Sequence, residues 1–509
     1  MSGQQADSPV IAPSHRMLAA VVLALANFMV ILDLTIANVS VPHIAGDMGI
    51  TLEQGTWIIT GYAVAEAMSV PLTGWLAQRF GTVRMFAAGM IGFGAFSLLC
   101  GLSTTLTMLV VCRIGQGLCG GPIMPLSQTL LYRIFPPEQR AGVMGLWMTT
   151  TMLGPALGPI IGGGISDGWS WHWIFFINLP VAIACIFAAL TLLRRAETPT
   201  VRLPIDRVGL VLLVFWIGSL QIMLDTGRDH DWFADPKIVL LAICAGVGFI
   251  AFIIWELTED HPIVDIRVFR HWALSSGMLI FTLAFGAFFA TVVIVPQWLQ
   301  SSLGYTATQA GIVTASSSIG SVATAMIVLR LMKHFDERIL IFCGILWLGV
   351  TALVRARWVT GGDFWTFVLP QLAQGFSVPF FMIPLTTLML GSVPASETAS
   401  VAGLQNFLRT VALAVATSVV LTLWGNAQRV AQTEIADRLA PQEVQRQLAD
   451  AGFGPEQSRQ MIAGIANQEA VTMALNHVFL LIAFVVALAA IVVWFIPRTR
   501  APVDMSAVH

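Results

Sequence analysis

Long apolar runs separated by short polar segments make up most of this chain. An α-helix needs about 20 mostly apolar residues to cross the hydrocarbon core of a bilayer. Fourteen candidate spans meet that requirement: 17–41, 55–78, 83–102, 106–132, 141–165, 172–193, 207–225, 237–257, 273–299, 307–332, 338–356, 364–391, 398–425 and 473–496. The pattern therefore predicts an all-α polytopic membrane protein with 14 transmembrane helices.

Two distant parts of the chain resemble each other at a constant spacing. FPPEQRAGVMGL at 135–146 aligns with VPASETASVAGL at 393–404, an offset of 258, and at the same offset RIGQG meets QLAQG. The fourth and fifth spans then correspond to the twelfth and thirteenth. This register predicts two six-helix bundles plus two extra central helices, and such repeats are typical of secondary transporters with a midplane substrate site.

The predicted segments follow from this duplication. They are a cytoplasmic N-terminal tail at 1–16, an N-terminal six-helix bundle at 17–195, two inserted linker helices at 196–260, a C-terminal six-helix bundle at 261–497 and a cytoplasmic C-terminal tail at 498–509. Within the second bundle, 426–472 is polar and has helix-forming composition, which predicts a small helical cap on the periplasmic side.

Composition and charge fit a membrane protein. Hydrophobic residues make up 56% of the chain and charged residues 11%, whereas roughly a quarter of the residues in soluble proteins are charged. The formal net charge is −2 and no basic block is present, which excludes a nucleic-acid surface. The short loops on one side hold only Arg228, Lys237, Arg355 and Arg357, so the positive-inside rule predicts that both termini are cytoplasmic.

Enzymatic and metal chemistry are not indicated. The six cysteines lie singly in apolar segments and are expected to pack as small core residues. His43, His172, His261 and His477 have neither metal-ligand spacing nor a nucleophile partner. A transporter is therefore favoured over a membrane enzyme, and over a channel, because a duplicated design with asymmetric buried charges suits alternating access.

A few charged residues lie inside the predicted spans. Asp33 and Arg113 lie at one level, roughly 10–12 Å from the outer ends of spans 1 and 4, and Glu66 lies near the middle of span 2. Because a lone charge facing lipid is expensive, these three are predicted to share a water-accessible cavity and to couple transport to protons. The alternative is that Asp33 and Arg113 form a static pair that fixes helix packing.

Two stretches carry a high density of glycine, proline or arginine. In MLGPALGPIIGGG, a glycine every four residues allows close approach of another helix, and the prolines are expected to bend the span. In GWLAQRFGTVR, a glycine breaks the helix between two spans. The residues are Gly154, Pro155, Gly158, Pro159, Gly162 and Gly163 in the first stretch, and Gly74, Arg79, Gly81 and Arg84 in the second.

These motifs together resemble the major facilitator superfamily, specifically its fourteen-span drug:proton antiporters. LDLTIANVSVP resembles the acidic first-span signature, GWLAQRFGTVR the loop after span 2, RIGQG the span 4 motif and GPALGPIIGG the antiporter motif of span 5. The similarity extends over nearly the whole chain and is greatest to EmrB-type multidrug exporters. One departure is Gln78, a neutral residue where the loop motif usually has an acid.

The resemblance implies a multi-pass pump of the bacterial inner membrane that exchanges protons for amphipathic drugs. It implies no organic cofactor or metal, with protons as the coupling ion, and work with a periplasmic adaptor of the EmrA type and an outer-membrane channel of the TolC type. A narrow exporter of an endogenous product, such as a fatty acid, siderophore or antibiotic, is the alternative that sequence leaves open.

The duplication also indicates walls for a central substrate cavity between the halves. Aromatic, methionine and polar side chains can repack around varied ligands, although the same aromatics could simply face lipid or pack. Arg409 in span 13 could attract anionic groups or cap the carbonyls of a broken helix. The candidates for substrate binding are Phe285, Phe288, Phe380, Phe381, Met382, Gln405, Asn406 and Arg409.

Overall fold

A computed structural model describes residues 13–201, 204–394, 397–438 and 454–496. The predicted C-terminal tail and most of the N-terminal tail lie outside these residues. The α-helices within the described ranges are α1 (Pro13–Met48), α2 (Leu52–Ser69), α3 (Thr73–Phe80), α4 (Thr82–Gly101), α5 (Leu106–Gly120), α6 (Ile123–Ile134), α7 (Pro137–Gly168), α8 (Trp173–Phe176), α9 (Asn178–Thr191), α10 (Arg207–Thr226), α11 (Pro236–Thr258), α12 (Trp272–Leu303), α13 (Ala307–Leu331), α14 (Glu337–Arg355), α15 (Phe364–Gly375), α16 (Ser377–Gly391), α17 (Thr398–Arg438) and α18 (Pro455–Val492).

Each predicted span coincides with one helix or with a run of consecutive helices. Twelve of these units within the described residues are long and apolar enough to cross a membrane. The units formed by α2 with α3 and by α7 are not among the twelve, because they carry more polar residues and glycine. The all-α polytopic fold is therefore confirmed, and the count of fourteen spans stays a prediction that the structure is compatible with.

Polar caps explain where several helices begin. The hydroxyls of Thr51 and Thr306 accept a hydrogen bond from the backbone N–H three residues later, and a glutamine at that position returns the bond. Thr105 caps α5 in the same way without the return bond. Because such caps satisfy amide groups that the helix cannot pair itself, the boundaries fall at the polar ends of the apolar runs.

The helices form two bundles with a pair of helices beside them. The first half comprises α1 to α9 and the second comprises α12 to α18, while α10 packs on α11 and against α2. The halves meet where α6 and α7 of the first pack against α13, α16 and α17 of the second. This interface is where a transporter of two halves would hold its substrate.

The polar segment 426–472 continues the helices on either side of it. Helix α17 runs without interruption to Arg438, and α18 begins at Pro455. The described parts of the predicted cap are therefore extensions of two membrane helices, while residues 439–453 lie outside the described residues.

Candidate functional site

The two charges predicted to lie at one level form a buried ion pair. Nη1 of Arg113 lies 2.5 Å from Oδ2 of Asp33, and the two side chains are 0% and 1% exposed. Nε of Arg113 donates to the carbonyl of Ile58 at 3.2 Å, and its guanidinium lies 4.2 Å from the ring centroid of Tyr62. Asp33 and Arg113 are thus brought together, but both are enclosed in this conformation, so their shared water-accessible cavity stays a prediction.

Amide side chains complete the coordination of the Asp33 carboxylate. Oδ1 accepts from Nε2 of Gln116 at 3.1 Å and from Nδ2 of Asn178 at 2.7 Å. Gln116 also accepts from Nη1 of Arg113 at 2.8 Å, and Asn178 donates to Ser97 at 3.0 Å. Gln116 and Asn178 are not among the site residues predicted from the sequence. Their position inside apolar runs was nevertheless a detectable signal, because a buried amide needs a hydrogen-bond partner.

Glu66 occupies a different environment from Asp33. It is 6% exposed, and among the described residues its carboxylate has no direct hydrogen-bond or ion-pair partner. The charged groups that act on it are Arg409 of the second half, Arg113 and Asp33, with Arg409 the strongest. Glu66 is therefore a buried acid whose electrostatic environment depends on both halves of the protein.

Arg409 projects from α17 toward the first half. Its Nη2 group donates to Sδ of Met124 at 2.7 Å, and Glu66 is the acid whose field acts on it. Within the described ranges its guanidinium makes no hydrogen bond to a backbone carbonyl, and its attraction for anionic groups stays a prediction. A cation from one half thus lies within electrostatic range of a buried acid from the other half.

A hydrogen-bonded group of amides closes the interface nearer its predicted cytoplasmic side. Nε2 of Gln128 donates to Oε1 of Gln405 at 3.1 Å, and Nδ2 of Asn406 donates to Oε1 of Gln128 at 2.8 Å. Gln405 in turn donates to Thr386 at 2.8 Å. Two predicted substrate residues, Gln405 and Asn406, therefore link the halves in this conformation. Their first-half partner, Gln128, was not predicted from the sequence.

A narrow cavity of about 10 Å³ lies between the halves. Pro155 of α7 lines one side and Phe288 of α12 lines the other, together with Phe289 and Val292. Hydroxyl groups from α13 complete the lining. Because drug-sized pockets occupy about 300–1,000 Å³ and a single water molecule needs about 10–15 Å³, this cavity is far too small for a drug-sized ligand in the present conformation.

The other aromatic candidates lie within the second half. Phe285 is 1% exposed and packs against Phe281 and Phe289, with ring centroids 5.5 and 4.5 Å away. Phe381 and Met382 are 0% and 2% exposed. The half-buried Phe380 packs against Gly344 of α14 in the same half. Phe288 is therefore the aromatic candidate that the described cavity brings to the interface between the halves.

The glycine stripe of α7 lies against the helix that carries Asp33. A Cβ atom on Gly154 or Gly158 would collide with Ile31 or Thr35 of α1, respectively, and a Cβ atom on Gly162 would stand in tight contact with Ile36, at 3.2 Å. The hydroxyl of Thr35 donates to the carbonyl of Gly154 at 3.2 Å. The predicted close approach of another helix is thus observed.

The remaining residues of this motif make fewer contacts. Gly163 has open space where a Cβ would stand. Helix α7 continues through Pro155 and Pro159 without a break, so the bend expected there stays a prediction.

The GWLAQRFGTVR stretch forms a tight connection next to the second half. Gly74 packs against Ser400 of α17, and Gly81 has φ +95°, a conformation that favours glycine. Glu197 accepts hydrogen bonds from the backbone N–H groups of Val83 and Arg84, both at 3.0 Å. The carboxylate at this turn thus comes from the segment after α9 and not from position 78.

Both arginines of the stretch lie near its surface. The guanidinium of Arg79 lies 5.1 Å from the ring centroid of Trp75. Arg84 pairs loosely with Glu197 at 3.8 Å and is 75% exposed.

A sequence profile of the Major Facilitator Superfamily matches residues 23–417. The chain belongs to this superfamily. It is 41% identical over 481 residues to the multidrug export protein EmrB of Escherichia coli strain K12, covering 93% of this chain and 94% of that protein. It is 40% identical over 463 residues to the fatty acid resistance protein FarB of Neisseria gonorrhoeae, covering 90% and 91%.

Among solved structures, the crystal structure of the human organic anion transporter MFSD10 is similar with a TM-score of 0.58 and 14% identity, over 93% of this chain and 100% of that one. This likeness shows the fold alone. The superfamily match and the 41% identity to EmrB confirm the family expected from the sequence motifs. The protein is a multi-pass membrane transporter of the major facilitator type.

Proposed function

We propose that this protein is a proton-driven antiporter that exports amphipathic drugs or toxic compounds across the bacterial inner membrane. The export function is supported by the similarity over nearly the whole chain to the multidrug export protein EmrB. Both termini lie in the cytoplasm in this proposal, as the distribution of arginine and lysine predicts.

Proton coupling rests on one observation, the environment of Glu66. Its carboxylate is buried, has no direct partner among the described residues, and faces Arg409 from the opposite half. Burial favours the protonated form of an acid, whereas a nearby cation favours the ionised form. Movement of the halves changes the distance to Arg409, so the proton affinity of Glu66 changes with the conformation.

Asp33 and Arg113 take a different part in this mechanism. Arg113, Gln116 and Asn178 all donate to the Asp33 carboxylate, and these bonds tie α1 to α5 and α9, the helices that carry the three donors. Asp33 therefore acts as a positioning residue that fixes α1 against the first bundle. Glu66 carries the proton, and a cationic substrate that reaches Glu66 displaces it.

The substrate path runs between the halves. The cavity beside Pro155 and Phe288 is its closed form, and it widens when the halves rotate. The amide group of Gln128, Gln405 and Asn406 seals the cytoplasmic side and separates when the protein opens inward. A ligand binds best to the conformation in which it makes additional contacts, so substrate and proton shift the same equilibrium.

Partners belong to the proposal as well. A periplasmic adaptor of the EmrA type and an outer-membrane channel of the TolC type would carry the substrate onward. The helical extensions formed by α17 and α18 lie on the predicted periplasmic side, where such an adaptor would meet the pump.

A second candidate function is narrow export of a fatty acid. The 40% identity to the fatty acid resistance protein FarB favours it. Susceptibility of a deletion strain to a panel of dyes, antibiotics and long-chain fatty acids separates the two. Loss of resistance to several unrelated compounds supports the broad exporter, whereas sensitivity to fatty acids alone supports the narrow one.

The coupling is tested in proteoliposomes with an imposed pH gradient and an ethidium-type dye. Glu66→Gln should abolish gradient-driven dye movement while dye binding is retained, and Glu66→Asp should keep part of the activity. Glu256→Gln is the matched control, because Glu256 is also a buried acid but lies in α11, outside the interface between the halves. Normal coupling in Glu66→Gln would refute the assignment of the proton to this residue.

A further inference from the structure

A second fully buried arginine lies in the other half of the protein. Arg355 ends α14, and the sequence pattern predicted it as a residue of an outer loop. The side chain is 0% exposed, so it is buried inside the protein, and the side of the membrane on which it lies stays a prediction. Its Nη1 group donates to Oε1 of Gln371 and to Oε1 of Gln374, both at 2.7 Å. Nε donates to the carbonyl of Thr351 at 3.1 Å.

None of these partners carries a negative charge. Among the described residues, no aspartate or glutamate pairs with Arg355 or acts on it electrostatically. The aromatic ring of Phe479, 5.0 Å from the guanidinium, adds a cation–π contact. A buried cation without a neighbouring negative charge is strongly destabilising. We therefore expect a counter-ion to stabilise Arg355.

The repeat register shows how the first half differs at the corresponding positions. Thr291 and Gln374 stand 258 positions after Asp33 and Gln116, the offset of the internal repeat. Nε2 of Gln374 donates to Oγ1 of Thr291 at 2.5 Å, just as Nε2 of Gln116 donates to Oδ1 of Asp33 at 3.1 Å. At the repeat position of Arg113 the second half has Gln371, and its buried arginine, Arg355, comes from α14 instead. The second half therefore keeps the amide of Gln116, supplies its arginine from another helix and has a hydroxyl at the repeat position of the carboxylate.

Two buried donors of this cluster have no hydrogen-bond partner within the part of the chain that the structure describes. They are Nη2 of Arg355 and Nε2 of Gln371, and they belong to side chains that are hydrogen-bonded to each other. Gln371 is itself 0% exposed. A cation with adjacent free N–H groups is the arrangement that binds an anion through charge-assisted hydrogen bonds.

We propose that Arg355, Gln371 and Gln374 form a binding site for one small monovalent anion. The ligand is either a halide or the carboxylate group of an acidic amphipathic molecule, and it supplies the charge that Asp33 supplies in the first half. Because Arg355 ends α14 on the predicted periplasmic side, the anion enters from that side. This site shares no residue with the proposed proton path of Glu66 and Arg409.

The site is tested on the purified full-length protein in nanodiscs of phosphatidylethanolamine and phosphatidylglycerol. Thermal unfolding is followed while chloride replaces isethionate at constant ionic strength, and in separate arms while acetate or decanoate is added. The melting temperature of the wild type should rise in a saturable way with the bound anion. A response to chloride identifies a free halide, and a response confined to decanoate identifies the head group of an acidic substrate.

Three variants make the test specific. Thr291→Asp places a carboxylate inside the cluster and should remove the anion response, with a melting temperature that no longer depends on the anion. Arg355→Gln should raise the midpoint concentration about tenfold or more, as expected for the loss of a charge-assisted contact. Arg357→Gln is the matched control, since Arg357 is exposed two residues away, and it should respond like the wild type.

Two results would overturn the proposal. One is a wild-type melting temperature that is the same in chloride, acetate, decanoate and isethionate. The other is an anion response that Thr291→Asp retains in full, since an internal carboxylate must compete for the guanidinium. In either case Arg355 is a buried cation stabilised by its amide and aromatic neighbours alone.

Discussion

Neutralising Asp33 should destabilise the first half through its effect on Arg113. In Asp33→Asn the new side chain can still accept hydrogen bonds from Gln116 and Asn178, but Arg113 loses its only acidic partner among the described residues. Breaking a buried pair by removing one charge costs about 3–5 kcal/mol. Both side chains are essentially unexposed, so solvent does not screen this loss and the full range applies.

A double-mutant cycle isolates the pair. Arg113→Gln alone should be similarly destabilising, because it leaves the Asp33 carboxylate buried without a cation. The double variant carries no buried charge and should be more stable than the sum of the two losses implies, with a coupling energy of about 2 kcal/mol or more. Unfolding by SDS in mixed micelles gives these free energies.

Asp47→Asn serves as the control for the cycle. Its carboxylate is exposed and accepts a single hydrogen bond from Trp171 at 2.9 Å, so the loss should stay within about 1 kcal/mol. Additive effects in the cycle, or an Asp33→Asn protein as stable as the wild type, would refute a role of the pair in stability. Complete loss of proton-driven efflux in a fully folded Asp33→Asn protein would instead indicate that Asp33 takes part in proton transfer.

Two further substitutions test the helix packing and the closed interface. Gly158→Val should prevent the close approach of α7 to α1 and lower both folding yield and transport. Gly164→Ala is the control and should be neutral, because open space lies where its Cβ would stand. A normal folding yield of Gly158→Val would contradict the packing role. Gln128→Leu removes the hydrogen bonds that join the halves and should increase maleimide labelling of cysteines introduced along the cytoplasmic side of the interface. Unchanged labelling would show that these bonds do not hold that side closed.

The sequence was sufficient to predict the helices because each span requires a long apolar run, and such runs are visible without tertiary information. It also indicated that Asp33 and Arg113 share a level in the membrane, since depth follows from helix rise. Lateral position does not follow from these rules. The facing of Glu66 and Arg409 depends on how the two halves pack, and no local pattern records it.

Arg355 illustrates the same limit at the end of a helix. An arginine at the end of an apolar run is normally assigned to the loop, and nothing in its neighbourhood shows which way the last turn points. The amides had a readable signal, because Gln116, Gln128 and Asn178 interrupt apolar runs. Their partners, however, lie on other helices. The sequence could therefore indicate that these amides have hydrogen-bond partners, but it could not identify the partner residues.

Helix α17 has 41 residues and is therefore about 60 Å long at about 1.5 Å per residue, roughly twice the thickness of the hydrocarbon core. One end lies against Gly74 of α3, and at this length the other end extends past the bilayer surface. A rigid rod held in this way acts as a lever: a slight rotation of the second half sweeps the far end through a larger arc. A protein bound to the far end of α17 would therefore be displaced when the second half rotates, before the transported substrate reaches that protein.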